Sequence, residues 1–262
     1  MRPISIHHVA AIDLQPAEFV AVAAASGASH VSLFLQAMGN NPFPVLSADQ
    51  VSTVKKALSD NGLKIANGEL GMIFPDTDIE GWLPLLDRAS DLSARGVVVL
   101  LADSDVARNC DRLGELASWA GSRELKLSIE MIALGQQWDN TGAVNQLIDQ
   151  VAHENLYFGA DLLHIVRAGD SLESLWSLPN GRVSYAQICD SHDGRAHKDY
   201  LSEAAQSRLV PGEGVFPCRQ FAQELPSSAL LEIEVPNPAD DDPSARLAQM
   251  VVATRALLDA TP

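Results

Sequence analysis

The chain has 262 residues, of which 47% are hydrophobic, and carries a formal net charge of −16. So apolar a composition supplies a large core and excludes the disordered and low-complexity classes. The negative charge argues against nucleic acid and anionic membrane surfaces as partners. Three scattered cysteines, an N-terminus without a secretion-signal pattern and the lack of a membrane-length apolar run lead us to expect a cytoplasmic protein with reduced thiols.

Short apolar runs alternate with amphipathic stretches along the whole chain. Pro16 marks the start of the first helix, a capping box at Ser47 begins the second, and Asn61-Gly62 ends it. The predicted strands are Ile4–Ala10, His30–Leu35, Leu63–Ile73, Val97–Leu101, Leu125–Ile132, Leu156–Leu162, Val183–Cys189 and Leu230–Val235. The first helix is predicted around Val20–Ala25, and the second runs from the capping box at Ser47 to Ser59. The others are predicted at Ile79–Leu92, Asp103–Ala120, Thr141–Glu154, Ser171–Trp176 and Ser244–Asp259.

Eight strand–helix units without a break in composition predict a single-domain α/β fold, a (β/α)8 TIM barrel over residues 1–262. An open doubly wound sheet is the alternative. The count of eight strands and the lack of a GxGxxG motif after a strand favour the barrel. One polar stretch, Asp190–Ser207, has little apolar periodicity, and it is predicted to be either an active-site lid or a solvated connector.

Polar side chains stand at the late positions of four consecutive predicted strands. The four are Glu130, Asp161, Gln187 and Glu234. Active sites of such barrels lie where the strands end, and converging carboxylates repel each other unless a cation lies between them. Because carboxylate and amide oxygens suit Mg2+ or Mn2+, these residues predict a site for one divalent metal ion. An acid at a strand end is usually only a loop cap, but four on consecutive strands favour the metal site. Glu232 shares the face of Glu234 and lies deeper in the barrel.

Several motifs over the C-terminal half resemble the xylose isomerase-like superfamily of sugar isomerases and epimerases. They are Glu130, Asp161-Leu-Leu-His164 followed by Arg167-Ala-Gly169, Gln187-Ile-Cys-Asp190, Arg208-Leu-Val-Pro-Gly-Glu213-Gly214 and Ile-Glu234-Val-Pro. The resemblance implies a barrel with a Glu/Asp/His-or-Gln/Glu metal site. Gln187 stands where many members have histidine. In this respect the chain looks like the bacterial 3-dehydroshikimate dehydratases of the superfamily, and the all-oxygen site tilts the ion toward Mg2+ or Mn2+. The resemblance also implies a homodimer.

Other side chains near the mouth of the barrel are candidates for catalysis and substrate binding, among them Glu69, which stands late in the third predicted strand and is also a candidate second acid or base. His164 is expected to transfer a proton, because its ordinary pKa near neutrality suits that task; a histidine hydrogen-bonded in a loop is the alternative. Glu130 and Glu234 are further catalytic candidates. The expected substrate-binding residues are Glu69, His8, Arg167, Arg208 and Glu213.

Three of these substrate contacts have a structural alternative. Arg208 and Glu213 bracket a Pro-Gly-Glu-Gly sequence, which can simply form a tight turn. Arg167 alternatively braces the mouth. His8 is preferred to His7 because it lies nearer the strand end, and Lys126 is expected to pair with a deep acid, Glu232 being the suggested one. His192, His197 and Lys198 fall in the polar stretch before Arg208, without an assigned role.

These residues predict a divalent-metal-dependent sugar, or sugar-like hydroxy-ketone, isomerase or epimerase. It would act by proton abstraction next to a carbonyl through a metal-stabilised enediolate. The first alternative is a lyase, either a 3-dehydroshikimate dehydratase or a keto-sugar eliminase, which needs the same metal site. The second is a non-catalytic, metal-stabilised barrel that binds its ligand. The expected partner is a small carbohydrate or cyclic hydroxy-ketone. A DNA-repair nuclease is disfavoured by the acidic charge and by the lack of a histidine-rich metal cluster.

Overall fold

The computed structural model describes residues 2–37, 43–133, 137–194, 200–236 and 242–259. Within these ranges, eight parallel strands form a closed barrel in which each strand pairs with the next, and the last pairs with the first. The strands are β1 Ile4–His7, β2 His30–Phe34, β3 Lys64–Ile73, β4 Gly96–Leu101, β5 Lys126–Glu130, β6 Leu156–Asp161, β7 Val183–Ile188 and β8 Leu230–Ile233. The predicted single-domain (β/α)8 TIM barrel is confirmed.

Helices alternate with the strands in the described part of the chain. They are α1 Pro16–Ala25, α2 Val51–Asn61, α3 Leu83–Asp91, α4 Val106–Gly121, α5 Thr141–Val151, α6 Leu162–Ala168, α7 Leu172–Trp176, α8 Leu201–Gln206, α9 Cys218–Glu224 and α10 Pro243–Asp259. Short 3-10 turns lie at His8–Ala11, Ala48–Gln50 and Glu80–Trp82. No helix among the described residues combines the length and the apolarity that crossing a membrane requires.

Local sequence signals place several of these boundaries. Ser47 and Gln50 form the predicted capping box ahead of α2, and Gly62 ends that helix with a φ of 67°, which glycine adopts without steric cost. The apolar core packs between the strands and the helices that cover them: Phe19, Leu86 and Leu113 are all fully buried. The inner face of the barrel carries polar residues together with a small second cluster of Ala66, Val98, Tyr185 and Leu230.

The strand register brings the ends of neighbouring strands to one level. Glu130 of β5 pairs with Gly159 of β6, Asp161 pairs with Gln187 of β7, and Gln187 pairs with Glu232 of β8. Residues in register on adjacent parallel strands lie about 4.8 Å apart. The polar positions seen in the sequence therefore meet at the C-terminal mouth of the barrel.

The first strand is shorter than predicted. It ends at His7, whose Nδ1 atom accepts a hydrogen bond from the Val9 backbone N–H at 3.2 Å and caps the following 3-10 turn. The inward–outward alternation of the strand stops there, which changes the direction of His8.

The sequence did not lead us to predict helices α6, α8 and α9. Each has only six or seven residues, which is too few for a helical periodicity to emerge. Helix α6 begins directly after β6, where Asp161 Oδ1 accepts the Leu163 N–H at 2.7 Å and serves as the N-cap. His164 therefore lies in the first turn of a helix, not in a loop.

Candidate active site

A cavity of about 210 Å³ opens at the C-terminal mouth of the barrel. Seven of its lining residues are polar or charged, and four are apolar. The lining residues are His7, Glu69, Leu100, Glu130, Ile132, His164, Gln187, Ala204, Ala205, Arg208 and Glu234. Strands β1, β3, β4, β5 and β7 contribute to it, together with helices α6 and α8 and the residues just after β5, α8 and β8. A cavity of this size, with a few convergent polar groups, is the expected form of a small-molecule site.

Glu130 is the last residue of β5, and its carboxylate is held by a hydrogen bond from a tyrosine of β7. The Tyr185 hydroxyl donates to Glu130 Oε2 at 2.8 Å, and both side chains are buried. Gly159 makes room for this tyrosine, because a Cβ at that position would lie 2.6 Å from the Tyr185 ring. Burial raises the pKa of Glu130 well above its usual value, and the nearby carboxylates raise it further. Such a group gains strongly from a cation placed beside it.

Asp161 and Glu234 share one arginine. Arg208 Nη1 lies 2.7 Å from Asp161 Oδ2 and 3.1 Å from Glu234 Oε2. Burial by itself would raise the pKa of Asp161, but Arg208 and His164 lower it to about 2. Burial also raises the pKa of Glu234, against the effect of Arg208, to about 7. The arginine thus neutralises charge at the predicted metal ligands instead of projecting freely toward a substrate.

Gln187 is oriented by the deeper acid Glu232. The Gln187 amide Nε2 donates to Glu232 Oε2 at 3.3 Å, while Gln187 Oε1 is buried without a hydrogen-bond partner. Ser5 and Ser32 donate to the other oxygen of Glu232. The predicted pairing of Lys126 with Glu232 is wrong: the Lys126 ammonium lies 4.6 Å above the Tyr157 ring, at the opposite end of the barrel. Strand position explains this, since Lys126 is the first residue of β5.

His164 comes close to the carboxylates that end β5 and β6. Its Nε2 atom lies 3.6 Å from Asp161 Oδ2 and 3.8 Å from Glu130 Oε1. Burial lowers the pKa of His164 to about 4, although Asp161 opposes the shift, so the imidazole is neutral near pH 7. Its ring also meets the Tyr200 ring edge-on, with centroids 5.5 Å apart. Its Nδ1 atom is buried without a hydrogen-bond partner.

The chemistry of these donors fits a divalent cation. Glu130, Asp161 and His164 each offer one ligand atom, and these atoms all lie within 4.8 Å of one another. Gln187, whose Oε1 atom is buried without a partner, lines the same cavity. A buried acceptor without a donor costs free energy, and a cation removes that cost. The arrangement therefore points to a divalent metal.

His7, and not His8, lines the cavity. His7 Nε2 lies 3.4 Å from Glu69 Oε1, and both side chains are nearly inaccessible to solvent. Burial alone would lower the pKa of His7, but Glu69 and the other nearby carboxylates raise it to about 9. His8 instead stacks on Phe19 of α1, with ring centroids 4.5 Å apart, and its Nε2 contacts the Leu14 carbonyl oxygen at 2.9 Å. The 3-10 turn after β1 causes this reversal, which corrects the prediction of His8 as a substrate contact.

Arg167 braces the cavity wall and does not line it. Its guanidinium donates to both carboxylate oxygens of Glu203 on α8, at 2.8 and 2.6 Å, and to the Ser191 hydroxyl at 2.9 Å. This buried contact holds α8, which presents Ala204 and Ala205 to the cavity. The bracing alternative for Arg167 therefore describes the structure better than substrate contact. The C-terminal part of the polar stretch is a cavity wall; His197 and Lys198 lie outside the described residues.

Glu213 lies away from the cavity. It is exposed and accepts a hydrogen bond at 2.9 Å from Gln249 of α10. The turn that carries it is held by Asp190, whose carboxylate accepts the backbone N–H groups of Gly212 and Phe216 at 3.0 and 2.8 Å. The prediction of Glu213 as a substrate contact is corrected accordingly: the Pro-Gly-Glu-Gly sequence forms a turn that faces outward.

The sequence reasoning missed Tyr185, Ala204 and Ala205. Tyr185 is two positions before Gln187 on β7, so strand parity alone could have placed it on the inner face. Alanines 204 and 205 carry no chemical signal, and only the position of α8 brings them to the cavity.

Comparison with known proteins identifies the family. A family model described as a xylose isomerase-like TIM barrel matches residues 20–254. The chain therefore belongs to the xylose isomerase-like TIM barrel family. None of the curated proteins matches the chain by sequence at a significant level.

Solved structures share the fold over nearly the full chain. The IOLI protein with a binding zinc atom has a TM-score of 0.80 at 13% identity, with 98% of each chain covered. The probable 3-DHS dehydratase AsbF involved in petrobactin synthesis from Bacillus anthracis has a TM-score of 0.78 at 15% identity, with 100% of each chain covered. D-psicose 3-epimerase with D-tagatose from Clostridium cellulolyticum H10 has a TM-score of 0.75 at 15% identity, with 98% of this chain and 100% of that one covered. At such identities these likenesses establish the fold alone.

Proposed function

We propose that this member of the xylose isomerase-like family is a divalent-metal-dependent isomerase or epimerase of a sugar or sugar-like hydroxy-ketone. The observation that carries the proposal is the convergence of Glu130 and Asp161, whose carboxylate oxygens lie within 4.8 Å of each other, with His164 beside both of them and lining the cavity. Family membership supports it, because structural neighbours of the chain include a D-psicose 3-epimerase and a 3-keto-D-glucoside 4-epimerase.

The metal ligands in this proposal are Glu130, Asp161, Gln187 and Glu234. Gln187 contributes its Oε1 atom, which has no other partner, while Glu232 fixes the amide from below. All four donors are oxygen atoms, so we propose Mn2+ or Mg2+ as the ion. When bound, a divalent ion polarises a carbonyl and an adjacent hydroxyl and makes the neighbouring C–H group more acidic.

Two groups suited to proton transfer lie on different sides of the cavity. His164 follows β6, whereas His7 and Glu69 belong to β1 and β3, and in an eight-stranded ring β2 lies across from β6. The neutral His164 can accept a proton, and the protonated His7 can donate one. A base on one side and an acid on the other are what an isomerase or epimerase needs, because the proton leaves one position and returns at another. Arg208 holds Asp161 and Glu234 in place on the β6–β8 side.

The cavity fits a small uncharged or weakly charged substrate. Its polar groups are concentrated on the strand ends, while Leu100, Ile132, Ala204 and Ala205 supply an apolar wall. A carbohydrate in ring or extended form presents both hydroxyl and C–H surfaces, which suit these two sides. The only arginine lining the cavity in the described part of the chain is already paired with two carboxylates.

The apolar wall also favours a second candidate, a dehydratase of a cyclic hydroxy-ketone. A flat carbocyclic ring could lie against Leu100 and Ile132 while its carbonyl and hydroxyl groups face the strand ends. Proton removal next to the carbonyl would then be followed by loss of a β-hydroxyl as water. The structural neighbour described as a probable 3-DHS dehydratase is consistent with this alternative.

Solvent exchange separates these reactions. The protein is loaded with Mn2+ and incubated in D2O with a panel of unphosphorylated ketoses, and deuterium in the recovered sugar is measured by mass spectrometry. An isomerase or epimerase incorporates deuterium, whereas a dehydratase raises enone absorbance with 3-dehydroshikimate and leaves the ketoses unlabelled. Glu130→Gln is expected to lose metal and exchange together, and Glu213→Gln serves as the matched control because that glutamate lies outside the cavity.

Metal content and exchange together test the role of His164. We expect His164→Ala to retain Mn2+ and to lose deuterium exchange, because we propose that His164 transfers a proton and does not bind the ion. Loss of Mn2+ from this variant would reassign His164 to the ligand set. If no substrate exchanges a proton, and Glu130→Gln changes nothing except metal content, the chain is a metal-stabilised binding barrel and the catalytic proposal fails.

A further inference from the structure

The N-terminal opening of the barrel, opposite the active site, carries three neighbouring cations. Lys64 begins β3, Arg95 directly precedes β4, and Lys126 begins β5, so they stand on three adjacent strands. Within the described ranges, none of the three forms an ion pair with a carboxylate, although the chain has 34 acidic and only 18 basic residues. Cations left together in so acidic a protein are unusual, because acidic partners are plentiful.

The electrostatics of this opening show that the positive charges act on each other. Burial lowers the pKa of Lys126, and the charge of Arg95 lowers it further. Burial also lowers the pKa of the half-buried His30 to about 4, with Arg95 and Lys64 adding to the shift. The local potential is therefore positive, and like charges held together cost free energy unless a negative group lies among them.

A small cavity lies beside these cations, inside the barrel. It has a volume of about 10 Å³, which is room for one water-sized group. Arg95 and Lys126 line it together with Asn67, Ser128 and Ser184. Asn67 is 5% exposed, and its Nδ2 atom is buried without a hydrogen-bond acceptor. The hydroxyls of Ser128 and Ser184 lie 2.6 Å apart, so one of them donates to the other, whose own proton is free to point elsewhere.

We propose that this cavity, bounded by Asn67, Arg95, Lys126 and the two serines, is a binding site for a small inorganic anion. Its donors are two cationic side chains, an unpartnered amide N–H group and a hydroxyl, and such a set matches an anion better than a neutral water. A phosphate would place one oxygen in this volume, whereas a halide, which is somewhat larger than a water molecule, would require the side chains of Arg95 and Lys126 to move slightly outward. The site is separate from the active site, because the Tyr185 ring lies between them: it lines this cavity and sends its hydroxyl to Glu130.

The anion stabilises the fold by occupying a site that exists only when the strands are assembled. A ligand that binds the folded state alone raises the unfolding temperature with its concentration. Thermal unfolding is therefore measured as sodium bromide or sodium phosphate is increased at fixed pH. We expect a rise of about 2–4 °C in the unaltered protein, which continues with the logarithm of the anion concentration once the site is mostly filled.

Two variants separate the site from general salt effects. Lys126→Met removes one cation of the cavity and is expected to abolish the rise in unfolding temperature. Lys56→Met is the matched control, because Lys56 is an exposed lysine on α2 that pairs with Asp60, and it should leave the rise unchanged. An equal rise in both variants would mean that the salt acts on the protein as a whole, and the proposal would be wrong.

Direct location of the ion does not depend on any variant. Crystals of the unaltered protein soaked in sodium bromide are expected to show an anomalous scattering peak within hydrogen-bond distance of Asn67 Nδ2. A bromide peak only in the active-site cavity beside Arg208, or only a water at Asn67 at every bromide concentration used, overturns the proposal.

Discussion

Replacement of Arg208 by methionine tests the charge balance on which the active site depends. The guanidinium is the cation that lies between Asp161 and Glu234, at 2.7 and 3.1 Å. Methionine has a similar length and no charge, so it keeps much of the packing of the side chain. The two carboxylates then remain buried together without a counter-charge.

The size of the effect follows from burial. The side chains of Arg208 and Asp161 are 4% and 0% exposed, and that of Glu234 is 12% exposed, so water screens the interaction weakly. Removing one partner of a buried ion pair destabilises a protein by about 3–5 kcal/mol. At about 2–4 °C per kcal/mol, the unfolding temperature in EDTA should fall by roughly 6–20 °C. Mn2+ supplies the missing positive charge, so its addition should restore a larger part of the stability in Arg208→Met than in the unaltered protein.

Urea unfolding in EDTA and in excess Mn2+ measures both effects. Arg123→Met is the matched control, since Arg123 pairs with Asp87 at 2.6 Å on the surface, where such a pair contributes less than about 1 kcal/mol. If Arg208→Met were no less stable than Arg123→Met in EDTA, the claim that this arginine balances the buried carboxylates would be refuted. If it were less stable but gained no more from Mn2+, the proposed position of the metal would be refuted instead.

Three further predictions concern Gly159, His7 and Glu213. Gly159→Ala should lower stability by about 1–3 kcal/mol in urea unfolding, because its Cβ would overlap the Tyr185 ring; an unchanged value would show that the ring moves freely. The pKa of His7 is raised to about 9. The contribution of the protonated His7 side chain to the free energy of unfolding should therefore be fully present below about pH 6.5 and lost as the pH rises through 9. Unfolding free energies between pH 6 and 10 check this, and His7→Gln should flatten that part of the profile. Glu213→Ala should change stability by no more than about 0.5 kcal/mol and leave kcat/KM unaltered, since the residue is exposed; a large loss of kcat/KM would restore it to the site.

Strand alternation explains both the successes and the errors of prediction at the mouth of the barrel. Gln187 and Glu130 were placed at the cavity because each lies on a regular strand, where the side-chain direction follows from counting residues. The same count failed for His8, because the strand had already ended in a 3-10 turn. Counting residues also led to the wrong partner for Lys126. Strand alternation predicts that this side chain faces inward, but it does not predict the end of the barrel at which the ammonium group lies.

The arginines show the limit of reasoning from sequence more sharply. Arg167 and Arg208 look alike in the sequence, as basic residues near motifs of the mouth. In the structure, Arg208 lines the cavity between two carboxylates, whereas Arg167 is buried against Glu203 of α8. The difference arises from a six-residue helix that no periodicity predicts.

The candidate metal centre, with Glu130, Asp161, Gln187 and Glu234 on consecutive strands of an eight-stranded barrel, was inferred from the sequence by itself. That was feasible because hydrophobic periodicity, turn residues and the alternation of strands are local properties, and the barrel brings all strand ends to one level. Only the tertiary structure decided which of two adjacent histidines faces the cavity, that Arg208 neutralises two of the predicted ligands, and that Glu213 faces outward. Those features depend on contacts between residues far apart in the chain, such as Arg208 with Glu234 and Gln249 with Glu213, and the free energy of such contacts is set by burial that no local pattern records.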